Sequence, residues 1–95
     1  MKRTPLSADD LSRAITDLPG WSLVNGKLHR EFRFADFVRA FAFMSGSALI
    51  AESRNHHPEW SNVYNRVVVD LTTHDAGGVT QSDLDLARAM NKLAG

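Results

Sequence analysis

Residues 52–75 read Glu52-Ser-Arg-Asn-His-His-Pro-Glu-Trp-Ser-Asn-Val-Tyr-Asn-Arg-Val-Val-Val-Asp-Leu-Thr-Thr-His-Asp75. Pro58 cannot continue a helix and biases His57 toward extended backbone, so a helix running up to this point must end before it. Beyond it, Trp60–Tyr64 and Arg66–Thr73 read as a hairpin turning near Asn65. Val67, Val69 and Leu71 point one way; Val68, Asp70 and Thr72 point the other. Three of the chain's four histidines, His56, His57 and His74, flank this hairpin. Histidine exchanges protons near neutral pH, so the stretch predicts a proton-transfer site as well as a fold.

Upstream, Asp36 opens a helix predicted to run to about Ser53. Its expected inward stripe is Phe37, Phe41, Met44, Ala48 and Ala51, flanked by Val38 and Leu49. Gly46 between serines suggests the close approach of another backbone. Earlier still, Trp21–Val24, the turn Asn25-Gly26 and Lys27–Phe34 form a first hairpin, because both turn residues accept positive φ. Leu28, Arg30, Phe32 and Phe34 share one of its faces. The chain starts with a loose arm over residues 1–5. A helix follows, with Ser7 as N-cap, Asp10 completing a capping box, Leu6 and Leu11 as staple partners, and a stop at Pro19-Gly20. Downstream, Ala76-Gly77-Gly78 is a loop. Thr80 and Asp83 form a second capping box, with Val79 and Leu84 as its staple. Leu86, Ala89, Met90 and Leu93 face inward on the last helix. The order is α-β-β-α-β-β-α. It predicts an α+β two-layer sandwich in one domain over residues 1–95, with three helices on one face of a four-stranded antiparallel sheet.

Composition narrows the function. Eleven basic residues balance eleven acidic ones, so no strong field favours nucleic acid or a membrane surface. The apolar run Phe41–Ala51 is too short and too interrupted to span a bilayer. No apolar segment follows the basic start, so no secretory signal is expected, and the default is a cytoplasmic protein. With no cysteine there is neither a thiol nucleophile nor a thiolate metal site. The G-x-S-x-G and phosphate-loop patterns are also absent. Adjacent His56 and His57 make an awkward chelate, lacking the one-turn spacing of helical metal ligands, so no metal is expected. A pocket for a flat heterocycle between imidazoles and Trp60 fits better, with general acid–base chemistry. The plainer alternative has one histidine capping the helix end and the others on the surface. Trp60 is equally suited to core or substrate wall, and Asp83 to capping or to holding a histidine.

The spaced pattern Glu52-x3-His56-His57-Pro58-x5-Tyr64-x9-His74-x8-Asp83 closely resembles the signature of pterin-4a-carbinolamine dehydratases. So do the run from His56 to Ala87, the Leu18-Pro-Gly-Trp21 segment, the spacing of Phe32, Phe34 and Phe37, and the pair Phe43-Met44. The resemblance implies dehydration of 4a-hydroxytetrahydropterin to quinonoid dihydropterin, in support of tetrahydropterin recycling, with no metal or organic cofactor. It implies His56, His57 and His74 as acid–base and substrate-binding groups. Pro58, Thr73, Asp75 and Ala76 would line the pterin pocket, with Glu52, Trp60 and Asp83 around it. Asn55 stands where a carboxylate often precedes the histidine pair, which removes electrostatic help from that point. A homodimer or homotetramer is expected, since open sheet edges invite pairing between subunits. An aromatic amino-acid hydroxylase is the implied pathway partner. The competing expectation is a non-catalytic interaction module, a coactivator or assembly factor, on the same fold.

Overall fold

The computed structural model describes residues 4–95. The first three residues of the expected arm lie outside the described ones, and by Leu6 the chain is fixed, its N–H donating to the Val79 carbonyl at 2.9 Å. The elements are α1 (Ala8–Thr16), β1 (Ser22–Val24), β2 (Lys27–Arg33), α2 (Phe37–Ser53), β3 (Glu59–Val63), β4 (Arg66–Leu71), a 3-10 turn (His74–Ala76) and α3 (Gln81–Ala94). The strands form one antiparallel sheet in the order β1-β2-β4-β3. The three helices cover one face, as the sequence pattern requires.

Local chemistry explains the boundaries. Ser7 caps α1 by accepting from the Asp10 N–H at 3.1 Å. The helix stops at Thr16, three residues before Pro19. Leu18 therefore lies past the helix, yet it is buried, held by its N–H to the Ile15 carbonyl and its carbonyl to the Trp21 N–H. Asn25 and Gly26 both take positive φ, 52° and 77°, and Val24 pairs directly with Lys27. That is the two-residue turn whose twist matches the strands it joins. In the second hairpin Tyr64 and Asn65 make the turn, with Tyr64 at φ 51°.

The core lies between the sheet and the helices. Leu28 and Phe32 of β2 and Val67, Val69 and Leu71 of β4 face Leu84, Leu86, Ala87 and Met90 of α3. The stripe that α2 turns inward differs from the expected one. Ala40, Phe43, Ser47 and Ala51 are buried, whereas Phe37, Val38, Phe41 and Leu49 are exposed. Apolar residues occupy most of the circumference of α2, so two overlapping stripes fit a 3.6-residue period. Partners choose between them: the Phe43 ring sits 4.5 Å from Phe32 and 5.0 Å from Phe34. Burying an aromatic of this size stabilises the fold by about 1.5–3 kcal/mol. The close approach at Gly46 is made by the Leu93 side chain of α3, which a Cβ there would meet at 3.4 Å, and not by backbone. Leu93 itself stays half exposed on that helix.

The register brings the ends that matter together. Glu59, first in β3, pairs with Asp70 near the end of β4, and Leu28 pairs with Leu71. Lys27, the C-terminal end of α2 and the turn after β4 therefore collect at one end of the sheet.

Candidate active site

The three histidines reach one place by different routes. α2 is capped by Arg54, and Asn55 follows at φ 50°, a left-handed conformation that asparagine accepts more readily than most residues. The His56 N–H then donates to the Ala51 carbonyl at 3.0 Å. The chain thus turns out of the helix at Asn55, three residues before Pro58. That turn sends His56 inward, 6% exposed, and leaves His57 on the surface. His74 does not extend β4 but opens the 3-10 turn beyond it, which closes on Gly77 in the left-handed region. A bridge between Thr73 and Gly78 ties that turn back.

Each imidazole meets its own carboxylate through Nε2. His56 lies 2.5 Å from Asp83 Oδ1, His57 2.7 Å from Glu52 Oε1, and His74 2.7 Å from Glu59 Oε2. A carboxylate only accepts, so the ring proton at each contact sits on Nε2. Such a partner fixes ring orientation and tautomer together.

The three pairs differ in burial. Asp83 is fully buried, where a carboxylate must be fully hydrogen-bonded. It is: Oδ2 accepts from the Thr80 N–H and the Thr73 hydroxyl, both at 2.8 Å. Because the Thr73 proton goes to Asp83, the Thr80 hydroxyl must donate to Thr73, 2.8 Å away. Asp83 therefore does both jobs weighed for it, capping α3 with one oxygen and holding His56 with the other. Glu52 and His57 form an exposed pair. Glu59 lies between: Oε1 accepts from Lys27 Nζ at 2.6 Å while Oε2 faces His74. The Lys27 hydrogen bond first, and the His74 bond after it, hold the Glu59 carboxyl below its ordinary value. Lys27 is raised in return, chiefly by the same bond.

A cavity of about 230 Å³ gathers Asn55, His56, His57, Thr73, His74 and Asp75 along its wall. That is small for a drug-sized ligand but suits a compact heterocycle. Pro58 and Ala76 flank it in sequence without lining it. Trp60 packs against the core and borders a different, shallower hollow beside Glu59, Val68 and Asp70. Glu59 and Lys27 were not singled out in the sequence. Glu59 directly follows Pro58 and could have been suspected from strand alternation, whereas Lys27 is 32 residues away and carries no local signal. Among the described residues no group of three or more histidines and carboxylates is arranged to hold a metal ion. No helix among them is long and apolar enough to cross a membrane.

Residues 4–93 match the family described as Pterin 4 alpha carbinolamine dehydratase. A protein of Solibacter usitatus (strain Ellin6076), provisionally named pterin-4-alpha-carbinolamine dehydratase, is 56% identical over 96% of this chain and 96% of its own length. A protein of the same provisional name from Rhodopseudomonas palustris (strain BisB18) is 57% identical, covering 94% of this chain and 90% of its own. Among solved structures, a transcriptional coactivator/pterin dehydratase from Brucella melitensis superposes with a TM-score of 0.94 at 47% identity. It covers 97% of this chain and 100% of its own.

Proposed function

This chain belongs to the pterin 4 alpha carbinolamine dehydratase family, and from that premise we propose that it converts 4a-hydroxytetrahydropterin to quinonoid dihydropterin and water in the histidine cavity. The reaction breaks the C4a–O bond. The leaving hydroxyl takes a proton and departs as water, the N5 proton is removed, and a C4a=N5 double bond forms. One group must give a proton and another must take one, and the product leaves the protein's proton count unchanged. We assign His74 to one transfer and His56 or His57 to the other.

The observation that carries this reading is the convergence of three imidazoles, each oriented by its own carboxylate, on a single small cavity. Fixed tautomers matter here because a ring that presents the wrong nitrogen cannot transfer the proton. Lys27 and Glu59 act as positioning residues for His74. Thr73 and Thr80 do the same for His56 through Asp83.

The test is a stopped-flow assay with chemically generated 4a-hydroxytetrahydropterin. Wild type should accelerate dehydration well above the spontaneous rate, and His74→Ala should lose about 10²–10⁴-fold, the contribution of one placed acid or base. An unchanged rate in that variant removes His74 from the mechanism.

A second reading has one specific observation behind it. Phe37, Val38, Phe41 and Leu49 leave an apolar face of α2 open, and large exposed apolar patches mark interaction surfaces. An interaction module, or a homo-oligomer that retains the enzyme, would use it. Wild-type turnover at the spontaneous rate by a folded protein would favour the module.

A further inference from the structure

A second cavity, of about 670 Å³, is distinct from the histidine pocket. It is a groove between the C-terminal end of α2 and one side of α3. Its wall carries the cations Arg54, Arg88 and Lys92, the single anion Asp85, and His56. Asp85, Arg88 and Lys92 follow at intervals of three and four, so the helix stacks them on one face. Arg88 Nη1 reaches Asp85 Oδ1 at 3.5 Å. Arg54 and Lys92 form no ion pair with any described residue. The chain as a whole is neutral, with 11 basic and 11 acidic residues, so the positive excess here is a local property of the groove.

The groove adjoins the candidate active site. His56 borders both cavities, and the consecutive residues Arg54 and Asn55 border one each. The histidine pocket has room for a fused ring system but little more, so a substituent at the pterin C6 position must leave it along a neighbouring surface. Guanidinium groups present planar forks of donors that match carboxylate and phosphate oxygens.

We propose that the groove is a subsite for an acidic side chain, carboxylate or phosphate, on the pterin. The chain then takes pterins with anionic tails in preference to those with neutral hydroxyalkyl tails. The proposal rests on the reading of the histidine pocket as the pterin site.

Calorimetric titration of the full chain tests it with three non-reacting ligands. These are 7,8-dihydrobiopterin with a neutral tail, 7,8-dihydrofolate with a carboxylate tail, and 7,8-dihydroneopterin triphosphate. At least one acidic ligand should bind ~10-fold or more tightly than the neutral one, and added salt should shrink that gap because exposed charges are screened. Which acidic ligand gains identifies the anion. The double variant Arg88→Gln/Lys92→Gln should abolish the gap and leave neutral-tail affinity within about twofold, since both side chains are exposed surface groups. Equal affinities in wild type, or a gap that survives the double variant, overturn the proposal. Turnover of a neutral-tailed 4a-hydroxytetrahydropterin reports the histidine pocket separately. If turnover fails while the binding gap holds, the dehydratase reading falls and the groove stands. If no pterin binds, titration with p-aminobenzoylglutamate and with tripolyphosphate decides the groove alone, and absence of binding to both overturns it.

Discussion

Asp83→Asn perturbs the buried centre of the site with little change of shape. The carboxylate accepts three hydrogen bonds, from the His56 ring, the Thr73 hydroxyl and the Thr80 N–H. An amide can accept along one arm only. If its oxygen keeps Thr73 and Thr80, its NH₂ faces His56 Nε2, and two donors meet. The clash is relieved when the ring moves its proton to Nδ1 and accepts at Nε2. Hydrogen bonds to a charged group contribute about 1.5–3 kcal/mol each, against about 0.5–1.5 for neutral ones. Two weakened bonds and one inverted bond therefore cost about 2–4 kcal/mol. A chain of 95 residues has roughly 5–14 kcal/mol of stability, so the variant still folds. Its Tm should fall by about 8–32 °C, at roughly 4–8 °C per kcal/mol for a domain of this size. Thermal unfolding by circular dichroism gives the first number, and nitrogen chemical shifts of His56 give the tautomer. Dehydration should slow by about 10²–10⁴-fold if His56 is a proton-transfer partner. A Tm shift under about 2 °C together with an unchanged tautomer would refute the account of Asp83 as a three-way acceptor.

The other expectations concern the surface pair and the core. Lys27→Met removes the main cause of the depressed Glu59 carboxyl, so Glu59 should titrate closer to its ordinary value of 4.5, read from its carbonyl-carbon shift. The sign follows from the depression: the Glu59 interaction stabilises the fold above pH 4.5 and is lost as pH falls through the lower folded value. An unmoved titration would mean that His74 alone holds the group. Phe43→Ala should cost about 3–5 kcal/mol in chemical denaturation, while Phe41→Ala should stay within about 0.5 kcal/mol at concentrations where the protein is monomeric. Equal losses would contradict the packing of α2 described above.

Much of the fold was legible because its signals are local. The Asn25-Gly26 turn, the Ser7 and Thr80 caps and the alternation of Val67, Val69 and Leu71 each depend on residues a few positions apart, and each has one cheap solution. The face that α2 turns inward was not legible. That helix is apolar on most sides, and Phe32 near the end of β2, with Phe34 just past that strand, selects Phe43 over Phe41. The candidate site divides in the same way. His56, His57 and His74 stand out by residue type, and Glu52 and Asp83 through the family signature, so the candidate residues could be named from the chain. Their pairing could not, because an imidazole finds its carboxylate through strand register and helix placement.

The sequence by itself determined the order of elements, the positions of the turns and the presence of three proton-exchanging rings near one hairpin. The tertiary structure decided which carboxylate each ring received and that Lys27, far away in the chain, stands behind His74. It also decided that the bend at the histidine pair falls on Asn55, and that a cationic groove adjoins the pocket. Local preferences fix local geometry within a few residues. Contacts between distant segments exist only once the sheet has set its register and the helices have chosen their faces.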